Sequence, residues 1–286
     1  MSYPLPDPPT TPPGPPAPVP PLRPGDPPIA LLVDYDGTIA QTDVSDALMA
    51  EFVTADWETH VAAYDAGIVG SRQLMAWEAG LITADPAALS AKAAAQPHDP
   101  GFVAFAEAAR AAGIPVEVVS DGFGFFIEPA LAALGVPWIP VVTAAMTFGP
   151  HGAVMAFPNG NRDCFLCGTC KRNRVLAYQA SGRRVVFIGD GESDRFAAGY
   201  ADVVWAKHSL ERFCLEQGWP YERWTQFSEV HRWLEGELAA FRDEPAAYPA
   251  PVTRPLFCGA EVWGPGRIDP PPAMPQPSSG EGIVPG

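Results

Sequence analysis

Apolar residues fall into two regimes along the chain. IALLVD, residues 29–34, is an unbroken apolar run that ends in a carboxylate, the pattern of a strand buried on both faces. Residues 43–98 then show helical spacing only: Val44, Leu48, Met49, Phe52 and Val53 recur at turns of a helix, and Leu74, Met75, Trp77 and Leu81 follow behind Ser71. This predicts a helical cap inserted after the first strand. Beyond Asp99 helix and strand alternate. A helix is expected over about 101–112, ending at Gly113, then a strand over Val116–Ser120 and a helix over about 123–134. WIPVV, a hairpin around Gly149, a helix opening at Lys171, the strand RVVFIGD ending on Asp190, a short helix and the strand ADVVWA complete the alternation. A last helical region over about 209–241 would pack on the sheet through Leu210, Phe213, Trp233 and Leu234. The order predicts an α/β fold, a doubly wound, mostly parallel sheet with helices on both faces. Its core would comprise residues 29–42 and 99–242, with the cap over 43–98. Ligands in such sheets bind beyond the carboxyl ends of the strands, which gathers Asp34, Ser120 and Asp190 at one edge.

Composition trims the ends of this picture. Residues 1–28 are crowded with proline, which cannot sustain a helix or a sheet interior, so a disordered or polyproline II arm is expected. Residues 243–286 return to Pro, Gly and Ser, with a brief apolar interruption at Leu256, Phe257, Cys258, Val262 and Trp263 that would dock on the body. No apolar run approaches the roughly 20 residues that span a bilayer, and the N-terminus carries proline where a signal peptide needs charge and then an apolar stretch. A soluble cytoplasmic protein is expected, with no membrane partner. The net charge of −15 disfavours nucleic acid and anionic lipid as partners. It also means that an anionic substrate must be held by a few local cations. Five cysteines, three of them close together, do not resemble a secreted disulfide framework.

The densest chemistry is Asp34-Tyr35-Asp36-Gly37-Thr38 at the mouth of the first strand. Two acids two residues apart can face one site: the first can attack phosphorus, the second can protonate a leaving alkoxide and then activate water. Gly37 permits the sharp exit between them; alone, the stretch also reads as a solvated Asp-Gly turn. Ser120 ends the second strand and can hold a phosphoryl oxygen, or serve as an ordinary N-cap. Asp121 beside it would repel a phosphate unless it points away. Lys171 can supply a fixed positive charge. Gly189-Asp190-Gly191-Glu192-Ser193-Asp194 ends another strand with carboxylates that suit a hard divalent cation such as Mg2+.

Asp34-x-Asp36-x-Thr38, Ser120, Lys171 and Gly189-Asp190-x-x-x-Asp194 occur in the order of the haloacid dehalogenase (HAD) superfamily, which the chain resembles over about residues 29–240. The resemblance implies a HAD-like Rossmannoid core and hydrolysis of a small phosphomonoester metabolite through an aspartyl-phosphate on Asp34, with Asp36 as general acid and base. It further implies phosphate binding by Ser120, Lys171, Thr38 and Gly122. Mg2+ would be held by Asp34, Asp190 and the backbone carbonyl of Asp36, with Asp194 as a further ligand or its support.

A cap inserted behind the first motif resembles the phosphoserine phosphatase-like branch. Within it, Gly70-Ser71-Arg72, the stretch Val119–Phe126, Cys167-Gly168-Thr169-Cys170-Lys171 and Ser209–Cys214 resemble the methionine-salvage phosphatases that act on 2-hydroxy-3-keto-5-methylthiopentenyl-1-phosphate. Asp121 and the filling Gly191-Glu192-Ser193 depart from that pattern. Asp43, nine residues beyond Asp34, stands where phosphoserine phosphatases place an acid for the substrate amine, and also reads as the N-cap of the first cap helix. Arg72 would bind a substrate carboxylate or phosphate, or form a surface ion pair. Cys164-x-x-Cys167-x-x-Cys170 is one ligand short of a structural zinc site, which Cys214, His151 or His208 would have to complete; shaping of the loop before Lys171 is the weightier reading. Phosphoserine hydrolysis, phosphoryl transfer to another acceptor and a scaffold that docks partners through its proline arms remain as alternatives, and a homodimer is one allowed assembly.

Overall fold

In the computed structural model, the described residues are 18–149, 152–161, 164, 166–244 and 248–251. The run Ile29–Val33 forms β1, with every residue buried. Its alternate side chains feed two separate cores: Ile29, Leu31 and Val33 join one, Ala30 and Leu32 the other. That is why the sequence shows an unbroken apolar run here instead of alternation.

Four helices follow: α1 (Val44–Phe52), α2 (Glu58–Asp65), α3 (Ser71–Leu81) and α4 (Pro86–Ala94). They form one block between β1 and α5 (Phe102–Ala111). The two segments that join this block to the sheet are themselves paired, Gln41 N donating to Pro97 O at 2.8 Å and Asp99 N to Ile39 O at 2.9 Å, with an isolated antiparallel bridge between Ala40 and His98. The chain thus leaves and re-enters the sheet through a single narrow neck.

Then come β2 (Val116–Val119), α6 (Ile127–Ala133), β3 (Val141–Val142) and the antiparallel hairpin of β4 (Ala145–Gly149) and β5 (Gly152–Ala156). After it lie α7 (Lys171–Ala180), β6 (Arg184–Gly189), α8 (Arg195–Ala198), β7 (Val203–Ala206), α9 (His208–Gln217), β8 (Glu222–Arg223) and α10 (Phe227–Asp243). The main sheet has the order β3-β2-β1-β6-β7-β8, and every pairing in it is parallel. One face carries α5 and α10, where Phe227 meets Phe102 and Phe105 with ring centroids 5.1 and 5.2 Å apart. The other carries α7, α8 and α9, through residues such as Val175, Ala197 and Leu210. Among the described residues, no helix is long and apolar enough to cross a membrane.

Three boundaries differ from the sequence reading. The helix expected over 123–134 starts only at Ile127, because Gly124 takes φ +82 and its backbone approaches Ala144 O closely. The last helical region is two helices split by the short edge strand β8. The proline arm is held from Val19 onward: Val19 packs on the second core, and the buried Arg183 guanidinium donates to Pro20 O at 2.7 Å and Pro21 O at 3.1 Å. At the other end Tyr248 donates to Glu237 at 2.8 Å and stacks edge-on against Phe241. Residues 1–17 and the apolar group from Leu256 to Trp263 lie outside the described residues.

One charge pair crosses the second core. Glu117, 2% exposed in the middle of β2, accepts from the guanidinium of Arg174 and from the Tyr178 hydroxyl, both on α7. Removing one member of a buried pair typically costs about 3–5 kcal/mol. Glu117→Ala should therefore lower unfolding stability by at least about 3 kcal/mol in chemical denaturation, whereas Glu211→Ala, which breaks the exposed pair with Arg223, should change it by less than about 1 kcal/mol.

Candidate active site

β1, β2 and β6 end side by side, and each delivers a polar residue at its carboxyl end: Asp34, Ser120 and Asp190. Beyond β1 the chain makes one wide turn over Tyr35–Ile39, with Gly37 at φ +65. That φ favours glycine, and a Cβ there would also collide with the carboxylate of Asp190. The turn places Asp36 so that its Oδ1 accepts from Val44 N at 3.0 Å, at the start of α1. The second acid thereby ties the sheet edge to the first cap helix.

Ser120 is fully buried, and its Oγ accepts from Gly122 N at 3.2 Å, which leaves the hydroxyl proton uncommitted. Gly122 faces Asp36 so closely that a Cβ would strike that carboxylate. Asp121, which lines the cavity, has both carboxylate oxygens engaged: it accepts from Ser71 Oγ on α3 and from Thr169 N at 2.8 Å. The residue that departs from the family pattern is thus a clasp between the helical block and the loop before α7.

Lys171, at the first position of α7, is 2% exposed; its Nζ stands 2.7 Å from Asp34 Oδ1 and 2.6 Å from Asp194 Oδ1, and donates to Ser193 Oγ at 2.9 Å. Burial works against its charge, but Asp194 and Asp34 outweigh this and raise its pKa. Asp194 is fully buried with both oxygens engaged, Oδ1 by Lys171 and Oδ2 by the backbone N–H groups of Asp190 and Gly191 at 3.0 Å each. It shapes the loop that presents Asp190, which places it behind the other carboxylates as a support. Asp190 accepts from Thr38 Oγ1 at 2.9 Å and has His208 Nδ1 3.2 Å from its Oδ2. Thr38, expected to bind phosphate, is fully buried and donates its hydroxyl to Asp190.

One oxygen from each of Asp34, Asp190 and Asp194 lies within 4.8 Å of the others. Burial, then the charges of Asp194 and Asp190, push the Asp34 carboxyl well above its ordinary range despite Lys171. One ammonium thus faces three carboxylates, all hard oxygen donors, at a spacing that suits a divalent cation such as Mg2+. The residues fit the ion. Among the described residues no comparable group of three includes a cysteine; His151 lies outside them, His208 belongs to Asp190, and Cys214 is buried in the second core.

Above these residues opens a cavity of about 340 Å3, lined by Asp34, Asp36 and Asp190 below and by α1, α2 and α3 above. Asp43 caps α1 by accepting from Asp46 N at 2.9 Å and also lines the cavity, so its two readings coexist. Arg72 does not line it. Its guanidinium lies over the Phe157 ring, 5.1 Å from the centroid, and its backbone N donates to Leu166 O at 3.2 Å, beside the hairpin. The sequence reading missed Asp46, Tyr64 and Glu78, all in the lining. The signal for Glu78 was present: Ser71, Leu74, Met75 and Glu78 share one helical face, so a glutamate sits on the apolar stripe of α3.

The sequence matches the haloacid dehalogenase-like hydrolase family over residues 31–198. Two relatives, both called 2-hydroxy-3-keto-5-methylthiopentenyl-1-phosphate phosphatase, are similar over most of their length. The one from Brevibacillus brevis is 26% identical over 72% of this chain and 95% of its own. The one from Geobacillus thermodenitrificans is 28% identical over 71% of this chain and 93% of its own. Among solved structures, a phospho-aspartyl intermediate analogue of phosphoserine phosphatase superposes with a TM-score of 0.57 at 16% identity, covering 73% of this chain and 99% of that one. This last likeness shows the fold.

If Asp34 and Asp190 hold a divalent cation with Asp194 as their support, Asp190→Asn should weaken Mg2+ binding by about tenfold or more in isothermal titration calorimetry. Arg72→Gln, which touches none of them, should leave it unchanged.

Proposed function

The chain belongs to the haloacid dehalogenase-like hydrolase family, and from that premise we propose that it hydrolyses a small phosphomonoester metabolite with Mg2+ as its cofactor and Asp34 as nucleophile. The observation that carries the reading is the contact of Lys171 with Asp34 at the carboxyl edge of the sheet, 2.7 Å long, with Asp36 across the same turn.

In this reading a carboxylate oxygen of Asp34 attacks phosphorus, the bond to the leaving alcohol breaks, and an aspartyl-phosphate forms. Asp36 donates its proton to the departing oxygen. Burial, and then the neighbouring charge of Asp43, hold the Asp36 carboxyl well above its ordinary value, the direction that the role of proton donor requires. Once deprotonated, the same group takes a proton from water as the water attacks phosphorus and releases Asp34. The Ser120 hydroxyl and the backbone around Gly122 receive phosphoryl oxygens, and Lys171 balances their charge while keeping Asp34 in line. A bound Mg2+ would offset the repulsion between the Asp34 carboxylate and the anionic ester. The helical block over 43–98 acts as a cap that excludes water, hinged at the paired neck around Ala40 and His98. Asp194 serves this site as support and the phosphate set reduces to Ser120, Lys171 and Gly122.

The relatives' name supplies the methionine-salvage enol phosphate as the first substrate to test. Asp43 in the cavity wall favours phosphoserine as the second.

With Mg2+ present, purified protein should release phosphate from small monoesters. Asp34→Asn should reduce that release by at least about a thousandfold, in line with loss of a covalent nucleophile. Turnover undiminished in that variant would overturn the mechanism.

A further inference from the structure

The cavity has two halves of different chemistry. Its floor is the sheet edge described above. Its cap side is formed by Val61, Leu74 and Met75 together with the carboxylates of Asp43, Asp46 and Glu78. Among the described residues no Lys or Arg lines this cavity. Lys171 lies beneath Asp34, Arg72 lies on Phe157, and His208 stands at Asp190.

Glu78 is the telling residue. It is 3% exposed, it lines the cavity from α3, and its Oε1 is buried with no hydrogen-bond partner. Burial, then Asp46 and Asp43, push its carboxyl well above the ordinary range, and Asp46 is itself pushed up to about 7 by burial and by Asp43. The other buried or half-buried acids of the cavity have protein partners: Asp121 has Ser71 and Thr169, Glu192 has Arg195, Asp190 has Thr38. A buried acceptor with no donor is costly unless something arrives to fill it. Here two further carboxylates stand beside it.

Resting on the phosphatase reading of the floor, we propose that the alcohol half of the substrate carries an ammonium group, which the carboxylates of Glu78, Asp43 and Asp46 receive at the cap side. The ammonium supplies the donors that Glu78 lacks and neutralises the acids around it, while Val61, Leu74 and Met75 cover the carbon chain. Among the described residues a second negative charge on that half has no Lys or Arg in the lining to meet, so a plain amino alcohol ester fits better than an amino acid ester. The leaving group of the relatives' substrate, a hydroxy-keto-methylthio chain by its name, bears no charge. The cap wall therefore separates this chain from them in specificity and leaves the phosphoryl chemistry common.

The test compares 2-aminoethyl phosphate with propyl phosphate, which replaces the ammonium by a methyl group of similar size, using full-length protein and Mg2+. p-Nitrophenyl phosphate reports the phosphoryl chemistry independently. The amine should be preferred by about tenfold or more in kcat/KM, the equivalent of roughly 1.4 kcal/mol. Glu78→Gln, which keeps the side-chain volume, should pull that ratio toward one. Asp46→Asn, at a solvent-accessible position of the wall, should do the same and covers the case in which the buried variant folds poorly. A ratio near one in the unaltered protein that still turns over p-nitrophenyl phosphate overturns this proposal alone, as does a ratio retained in both variants. Failure to turn over any of the three esters overturns the phosphatase reading, and this proposal with it.

Discussion

The contact between Lys171 and the acids around it is the constraint on which the catalytic edge depends. Asp34, Asp190 and Asp194 converge within 4.8 Å, and one buried ammonium stands 2.7 Å from the first and 2.6 Å from the last. Like charges at that spacing repel strongly where water is excluded, so each neighbouring element is arranged to contain the repulsion. Backbone N–H groups of Asp190 and Gly191 absorb one oxygen of Asp194, Thr38 holds Asp190, and Val44 N holds Asp36. The parallel sheet makes this possible because β1 and β6 are adjacent and end together, although their residues are far apart in sequence. What the protein leaves unbalanced is negative charge, which a divalent cation would offset and an anionic phosphate ester would increase.

The second constraint is the junction between cap and core. The block of α1 to α4 meets the core at its neck, along the packing of α3 on β5, and through contacts that include Asp36 with the start of α1 and Asp121 with Ser71 at the start of α3. Both contacts use an acid that belongs to a strand-end loop. Displacing the helical block would break both of these contacts, so the positions of Asp36 and Asp121 are tied to where the block sits. This gives the unusual aspartate after Ser120 a physical purpose that requires no contact with substrate.

The sheet edge was legible in the sequence because its signals are local. An apolar run that ends in Asp34 and another that ends near Asp190 announce buried parallel strands and the acids they deliver, and the strand-end rule then brings together residues far apart in the chain. The same reasoning does not reach the surroundings of Thr38 and Arg72. Thr38 belongs to a catalytic motif, but whether its hydroxyl meets substrate or Asp190 depends on a side-chain orientation that spacing does not encode. Arg72 begins a helix whose one face meets the cavity while the other meets the hairpin, and only packing decides which of them a flexible guanidinium joins; Phe157 holds it on the far side. The helix expected to start at Phe123 begins at Ile127 for a similar reason, since the close approach of Gly124 to Ala144 is a tertiary event. Glu78 lay within reach of the periodicity, as a carboxylate on an apolar stripe, but a single polar residue there is as consistent with the edge of the stripe as with a pocket until its burial is known.

These two kinds of legibility correspond to two functional halves. The phosphoryl half is carried by strand ends, where backbone geometry fixes the position of each side chain and short motifs suffice to describe it. The other wall of the cavity is carried by helices α1 to α3, whose cavity-facing residues are set by how the helices rotate and pack. A fold divided in this way can keep one reaction while its cap changes partner, because substitutions at Asp46 or Glu78 alter the cavity wall without moving Asp34, Lys171 or Asp190. Identity of about a quarter with the methionine-salvage phosphatases is then compatible with shared phosphoryl chemistry and a different alcohol. Under the proposal made above, the acids on the cap side, with Glu78 Oε1 lacking a donor, are where such a divergence would lie.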